Sequence, residues 1–157
     1  ATRAMLERTL MNHFRRARRT QPDLKEGEIK AWIEAIAESF IQKGYVNDNA
    51  WAEATLRQAR KSGWSKQKIA QKMYSKGISQ SLIRDLQREE GDSEDFHAAV
   101  IYARRKALGP WRKNEAADKQ KEMEKLCRAG FAPEIARKIT RLSLDQAEDV
   151  LEEARTK

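Results

Sequence analysis

Residues that usually carry catalysis are scarce in this chain, and those present are not spaced to act together. His13 and His97 are the only histidines, and Cys127 is the only cysteine. Neither histidine has a cysteine or carboxylate at the spacing of a triad or metal motif, so each reads as a surface or helix-packing side chain. One thiol and two distant imidazoles supply neither a structural zinc site nor an internal disulfide. The seven glycines are isolated, and none belongs to a GxxxxGK[ST] loop that would cradle a nucleotide phosphate. Paired acids such as Glu152 and Glu153 are neighbours on one helix and do not converge on a point. Cys127 precedes a glycine on an apolar face and reads as a buried thiol. The expectation is a protein with no catalytic residue, metal or cofactor.

The chemistry that is present is cationic. The 157 residues carry 32 Lys and Arg against 24 Asp and Glu, a net charge of +8. Such a balance favours polyanions, either nucleic acid or an acidic protein surface. The positive charge is also segregated. From Ala54 to Arg84 no acid occurs, while Arg57, Arg60, Lys61, Lys66, Lys68, Lys72, Lys76 and Arg84 are basic. A second acid-free stretch, Phe96 to Asn114, holds Arg104, Arg105, Lys106, Arg112 and Lys113, and a third cluster is Arg15, Arg16, Arg18 and Arg19. Merely solvated helix faces mix both signs, so acid-free lanes point to an anionic partner. Trp64 and Trp111 stand beside the lanes at expected helix junctions. Each can stack on a base or anchor in a partner, or wedge between helices as core. Trp32, on an apolar stripe, and Trp51, just after a cap, read as packing. Acids gather elsewhere, at Glu89, Glu90, Asp92, Glu94 and Asp95, and in the tail at Asp145, Glu148, Asp149, Glu152 and Glu153.

The elements that must position these charges are helices. Ile29, Trp32, Ile33, Ile36, Ala37, Phe40 and Ile41 form one stripe at helical spacing, and Phe96, Ala99, Val100, Ala103 and Ala107 form another. Leu6, Leu10 and Phe14 are spaced by four, and Ile69, Ala70, Met73 and Leu82, Ile83, Leu86 give shorter versions. No period-2 strand pattern stands against them. Three glycines share a local grammar, in Gly44-Tyr45-Val46-Asn47, Gly77-Ile78-Ser79 and Gly130-Phe131-Ala132-Pro133. A left-handed glycine closes a helix there, and the apolar residue after it packs back on the last turn. Asn47 or Asp48, Ser79 and Pro133 suit the start of the helix that follows.

Aligning these stops exposes a repeat. Met73 to Ile78 matches Leu126 to Phe131, with Ile83 on Ala136 and Leu86 on Ile139. The expected organisation is all-α, with tandem three-helix repeats stacked in an elongated, curved array. A partial first repeat spans 3–44, full repeats span 47–90 and 92–141, and a helical tail covers 142–157. A single unit cannot bury its own stripe, so stacked neighbours supply the core. Ser65 to Gln87 also reads as helix, turn and helix. The stop at Gly77 is nevertheless misplaced for a helix-turn-helix, which argues against operator binding. No apolar run approaches a bilayer span and no signal-peptide core is present, so a cytoplasmic location is expected.

Gly44-Tyr45-Val46-Asn47-Asp48-Asn49-Ala50-Trp51-Ala52 resembles the signature of the RecX family. Gly63-Trp64-Ser65, Ile69, Met73 and Lys76-Gly77-Ile78 resemble that family's second helix and its stop. Ala103-Arg104-Arg105-Lys106, Leu108-Gly109-Pro110 and Leu126 to Phe131 are similar to its last-repeat elements, in the alphaproteobacterial style. The resemblance covers about residues 24 to 141, and the family's opening helix is missing before the one expected at 3–19. It implies a regulator that lies in the groove of the RecA–DNA filament. There it would restrain filament growth, ATP hydrolysis, strand exchange and co-protease activity. It further implies weak, nonspecific contact with single- or double-stranded DNA by a monomer with no membrane contact. Without the resemblance, the residues fit two other classes equally: a nonspecific DNA-binding protein with no RecA partner, and a helical adaptor for another acidic protein.

Overall fold

The computed structural model describes residues 1–156, so Lys157, the last residue of the expected tail, lies outside the described residues. Among the described residues there are nine α-helices and no strand. They are α1 (Arg3–Arg18), α2 (Glu26–Gln42), α3 (Asp48–Lys61), α4 (Lys66–Ser75), α5 (Gln80–Glu89), α6 (Glu94–Lys106), α7 (Lys119–Arg128), α8 (Pro133–Arg141) and α9 (Leu144–Arg155). A 3₁₀ turn, Gly109–Trp111, follows α6. Among the described residues no helix is long and apolar enough to cross a membrane.

The three expected glycine stops form. The amides of Tyr45, Ile78 and Phe131 donate to the carbonyls of Phe40, Met73 and Leu126, at 2.9, 3.1 and 3.1 Å. Two further corners have the same bonding. Trp64 donates to Ala59 after Gly63, and Leu108 donates to Ala103 after Ala107, whose φ is +55°. The second of these lay hidden in the sequence, because alanine rarely takes a left-handed conformation. Helix starts follow the polar residues in front of them. Asn47 and Ser79 accept from Ala50 and Leu82, and Ser143 forms a reciprocal capping box with Gln146.

The chain divides into two compact units, 1–54 with 73–83 and 55–72 with 84–157. In the first, α1 packs on α2. Thr2 is fully buried; its hydroxyl donates to the Lys76 carbonyl at 2.6 Å and accepts from the Met5 amide, so one side chain caps α1 and ties it to the Gly77 corner. Asp48 accepts from the Arg3 amide at 2.8 Å. Hydrogen bonds to Glu7 and Glu38 raise the Arg3 pKa above its ordinary value. Of the α2 stripe, Ile29, Ile33 and Ala37 are buried, while Trp32 packs its ring against Phe14 as expected but stays 45% exposed. Period alone marks the apolar side of a helix, whereas burial requires a neighbour over every position on it.

In the second unit α6 is the central helix, packed by α8, α9 and the 3₁₀ turn. Ala98, Ala99, Val100 and Ala103 are completely or almost completely buried, and these small side chains let the surrounding helices come close. Leu108, Leu126, Phe131, Ala136, Ile139 and Ala147 complete the cluster. Two glycine corners dock tightly here. A Cβ on Gly63 would lie 2.8 Å from the Tyr102 amide nitrogen, and one on Gly130, at φ +97°, would collide with the Ser65 hydroxyl. That hydroxyl, 1% exposed as a residue, caps α4 and donates to the Ala129 carbonyl at 2.6 Å.

Gly130→Ala should therefore lower the unfolding free energy by roughly 1–3 kcal/mol, through backbone strain and displacement of the Ser65 hydroxyl. Gly27→Ala, at a helical site with open space around it, should leave stability unchanged or raise it by up to about 1 kcal/mol. Urea unfolding followed by helical circular dichroism reads both. A Gly130→Ala protein as stable as the wild type would show that the corner is not tightly docked.

Candidate nucleic-acid interface

The basic residues singled out in the sequence do not form one lane. In the second unit the structure sorts them into three settings. Arg60, from α3, is internal, with its side chain 11% exposed. Its guanidinium donates to both Glu90 oxygens at 2.9 and 2.7 Å, to Asp95 at 2.6 Å and to the Trp64 carbonyl at 3.0 Å. Asp95 also accepts from the Lys66 amide at 2.7 Å and so caps α4. Burial opposes the Arg60 charge, but hydrogen bonds and attraction from Glu90 and Asp95 outweigh it and raise its pKa. The expectation that no acid offsets this stretch fails here, because the partners lie 30 and 35 residues further along the chain. Lys66 borders the same acidic neighbourhood, beside Glu90, Asp92 and Asp95.

Arg112 is the second structural cation. It donates to Glu122 at 3.1 and 2.7 Å and to the Thr140 carbonyl at 2.9 Å. The other oxygen of the buried Glu122 accepts from the Gly109 amide at 2.7 Å, so this pair holds the 3₁₀ turn to α7 and α8. Trp111 packs against the core, the structural one of its two expected roles. With Arg104 it borders a separate cavity of about 280 Å³ that also carries Glu148, Glu152 and Arg155.

The third setting is an open cleft of about 480 Å³ between α4, α6 and the end of α7. Its charged lining is Lys68, Arg105, Lys106, Lys125 and Arg128, with Gln67, Gln71 and Tyr102 among the neutral residues and no carboxylate. All five cations are exposed. Arg105 is steadied by the Ser62 carbonyl at 2.8 Å and lies over the Tyr102 ring at 5.7 Å. Lys68 also sits 4.1 Å from the centre of the Trp64 ring, and Lys72 sits 4.9 Å from it. Cys127 lines this cleft and is exposed, which corrects the expectation of a buried thiol. Leu126, one position earlier, is the buried residue on that turn. Donors in this arrangement can neutralise closely spaced anionic oxygens, although Arg128 also pairs with Glu124 at 3.9 Å outside the lining.

Lys125 and Arg128 were missed in the sequence because Glu122 and Glu124 make their stretch look charge-mixed. Helical spacing holds the signal, since 125 and 128 are one turn apart while Glu122 turns inward to Arg112. Among the remaining expected residues, Arg57, Lys61 and Lys113 are exposed outside the cleft lining, and Arg15, Arg16, Arg18 and Arg19 are exposed on the first unit.

The sequence profile described as RecX, second three-helix domain, matches residues 47–86, a span that takes in α3, α4 and most of α5. A protein from Agrobacterium fabrum named regulatory protein RecX is 35% identical over 156 residues, covering 97% of this chain and 83% of that protein. The chain belongs to the RecX family. A second RecX protein, from Myxococcus xanthus, is 33% identical over 143 residues, covering 88% of this chain and 76% of its own. No solved structure matches significantly.

The settings of the cations separate stability from binding. Arg60→Gln leaves two carboxylates without their partner and should cost about 2–3 kcal/mol, less than for a fully enclosed pair because Glu90 and Asp95 keep some exposure. Arg105→Gln should stay within about 0.5 kcal/mol of the wild type. Thermal and urea unfolding of the two variants decide this, and equal destabilisation would contradict the division.

Proposed function

We propose that this protein is a non-enzymatic regulator that binds the RecA recombinase filament and lowers its ATP hydrolysis, strand exchange and co-protease activities. Membership of the RecX family carries the reading, since most of the chain aligns with proteins named for regulation. In this proposal residues 47–90 and 92–141 act as consecutive three-helix repeats of a cytoplasmic monomer. The acid-free cleft supplies the contact with DNA phosphates inside the filament. Such contact is independent of base sequence, because its donors are flexible cations that meet backbone oxygens. The exposed arginines of α1 and the outlying Arg57, Lys61 and Lys113 are then available to acidic protein surface or to further phosphates.

Nonspecific DNA binding without RecA is a second reading, favoured by the same cleft. The two separate in one assay. Substoichiometric protein should slow RecA-driven ATP hydrolysis on single-stranded DNA, and the effect should persist when competitor DNA is in excess. Inhibition that disappears with competitor places the partner at DNA alone.

The cleft makes its own prediction. Neutralising Lys68, Arg105, Lys106, Lys125 and Arg128 together should remove most DNA retention while the helical spectrum stays intact. The log–log salt dependence on single strands should flatten by about 0.7 for each phosphate that the variant no longer neutralises. If affinity and slope survive but RecA inhibition disappears, the cleft faces RecA instead.

A further inference from the structure

Trp64 occupies an unusual position for an aromatic at a helix corner. At the equivalent place after Gly77 and Gly130 stand Ile78 and Phe131, 2% and 3% exposed, whereas Trp64 is only half-buried. Its backbone is nevertheless held firmly. The amide donates to Ala59, the carbonyl accepts from Arg60, and Gly63 beside it rests against the backbone of Tyr102. Two lysine ammonium groups, from Lys68 and Lys72, lie over the ring. A π-face that attracts cations presents the negative pole of the ring quadrupole to a region reached by long, exposed side chains.

Lys68 belongs to two arrangements at once, the Trp64 ring and the acid-free cleft. An anionic strand entering the cleft offers the lysines phosphate oxygens, which they bind more strongly than a ring face. As they swing to the phosphates, the ring becomes available to a flat, electron-poor partner. An unpaired nucleobase has that shape and, in a single strand, sits next to the phosphates themselves. A base inside a duplex is already stacked on both faces and cannot take the place.

We infer that Trp64 is a nucleobase-stacking platform at the edge of the cleft, and that the site prefers single-stranded nucleic acid in a sequence-tolerant way. The inference rests on the reading of the cleft as a phosphate contact and adds the base. Rigid backbone anchorage of the ring and a lysine, Lys68, shared between ring and cleft are the features such a platform needs. In the free protein the lysines cover the ring; in the complex a base replaces them.

The test uses the full chain and end-labelled oligonucleotides of equal length: oligo-dT, a wholly abasic strand with the same phosphates, and a duplex. By fluorescence anisotropy, oligo-dT should bind about tenfold more tightly than the abasic strand, the scale of one stacked base. Trp64→Leu should remove that difference, while Trp64→Phe should keep part of it. Binding of oligo-dT should also quench tryptophan emission, and the quenching should largely vanish in Trp64→Phe although Trp32, Trp51 and Trp111 remain. Equal wild-type affinities for oligo-dT and the abasic strand overturn the stacking role and leave the phosphate contact standing. A duplex that quenches Trp64 as strongly as oligo-dT overturns it too. Failure to bind any of the three at low salt overturns both readings. If Trp64→Leu does not fold, the wild-type comparison and Trp64→Phe still decide.

Discussion

The second unit depends on one internal ion pair network. Arg60 closes the end of α3 through the Trp64 carbonyl, and the carboxylate it binds on Asp95 starts α4 by accepting from Lys66. Glu90, just past α5, completes the shell, and Gln87 reaches the Lys66 carbonyl from the same helix. Four helix ends are thereby joined through a single guanidinium. Only arginine presents enough donors in fixed geometry to do this, since a lysine in its place would satisfy at most part of the set. Pairing with Glu90 and Asp95 outweighs the burial that opposes the charge, so Arg60 keeps its proton and all its donors in the joint.

A cationic surface has to be held beside this network. Gathering five like charges around one cleft costs repulsion, and the fold lowers that cost at the helix ends. Arg105 and Lys106 lie in the last turn of α6, and Lys125 and Arg128 in the last turn of α7, where the negative end of the helix dipole favours them. Lys68 runs against this rule, because it stands in the first turn of α4 where a negative charge would be preferred. Its neighbour Trp64 offsets part of the misfit by offering a π-face. The place of Lys68 is therefore set by the aromatic beside it more than by the preference of the helix end.

Local rules were legible in the sequence, and long-range ones were not. The helical periods, the three glycine stops and the starts at Asn47, Ser79 and Pro133 all follow from residues within one turn of each other, so a linear reading finds them. The Ala107 corner escaped because its strain is compensated by Leu108 packing into the core, which only tertiary structure supplies. Arg60 and Arg112 looked like surface cations for the same reason: their carboxylate partners stand 30, 35 and 10 residues away, well beyond one helical turn. Conversely, Lys125 and Arg128 hid behind Glu122 and Glu124, although one of those acids turns inward. Counting charges along the chain overstates a lane where acids return from elsewhere, and understates it where acids are consumed internally.

A repeated stop creates a repeated slot, and the slots need not do the same work. After Gly77 and Gly130 the slot residue, Ile78 or Phe131, is buried. After Gly44 the sequence doubles the residue, so that Val46 is buried at 5% while Tyr45 is left 70% exposed. After Gly63 the slot holds an indole too large to disappear, with its backbone tied by Arg60 and its ring under two lysines. Helical repeats keep their stop because it closes the helix, and a slot residue that the core does not need is free to acquire another use. In this chain the Gly63 corner is where that freedom coincides with an acid-free cleft. The same backbone hydrogen bond that ends α3 therefore holds an aromatic face beside Lys68, which lines that cleft.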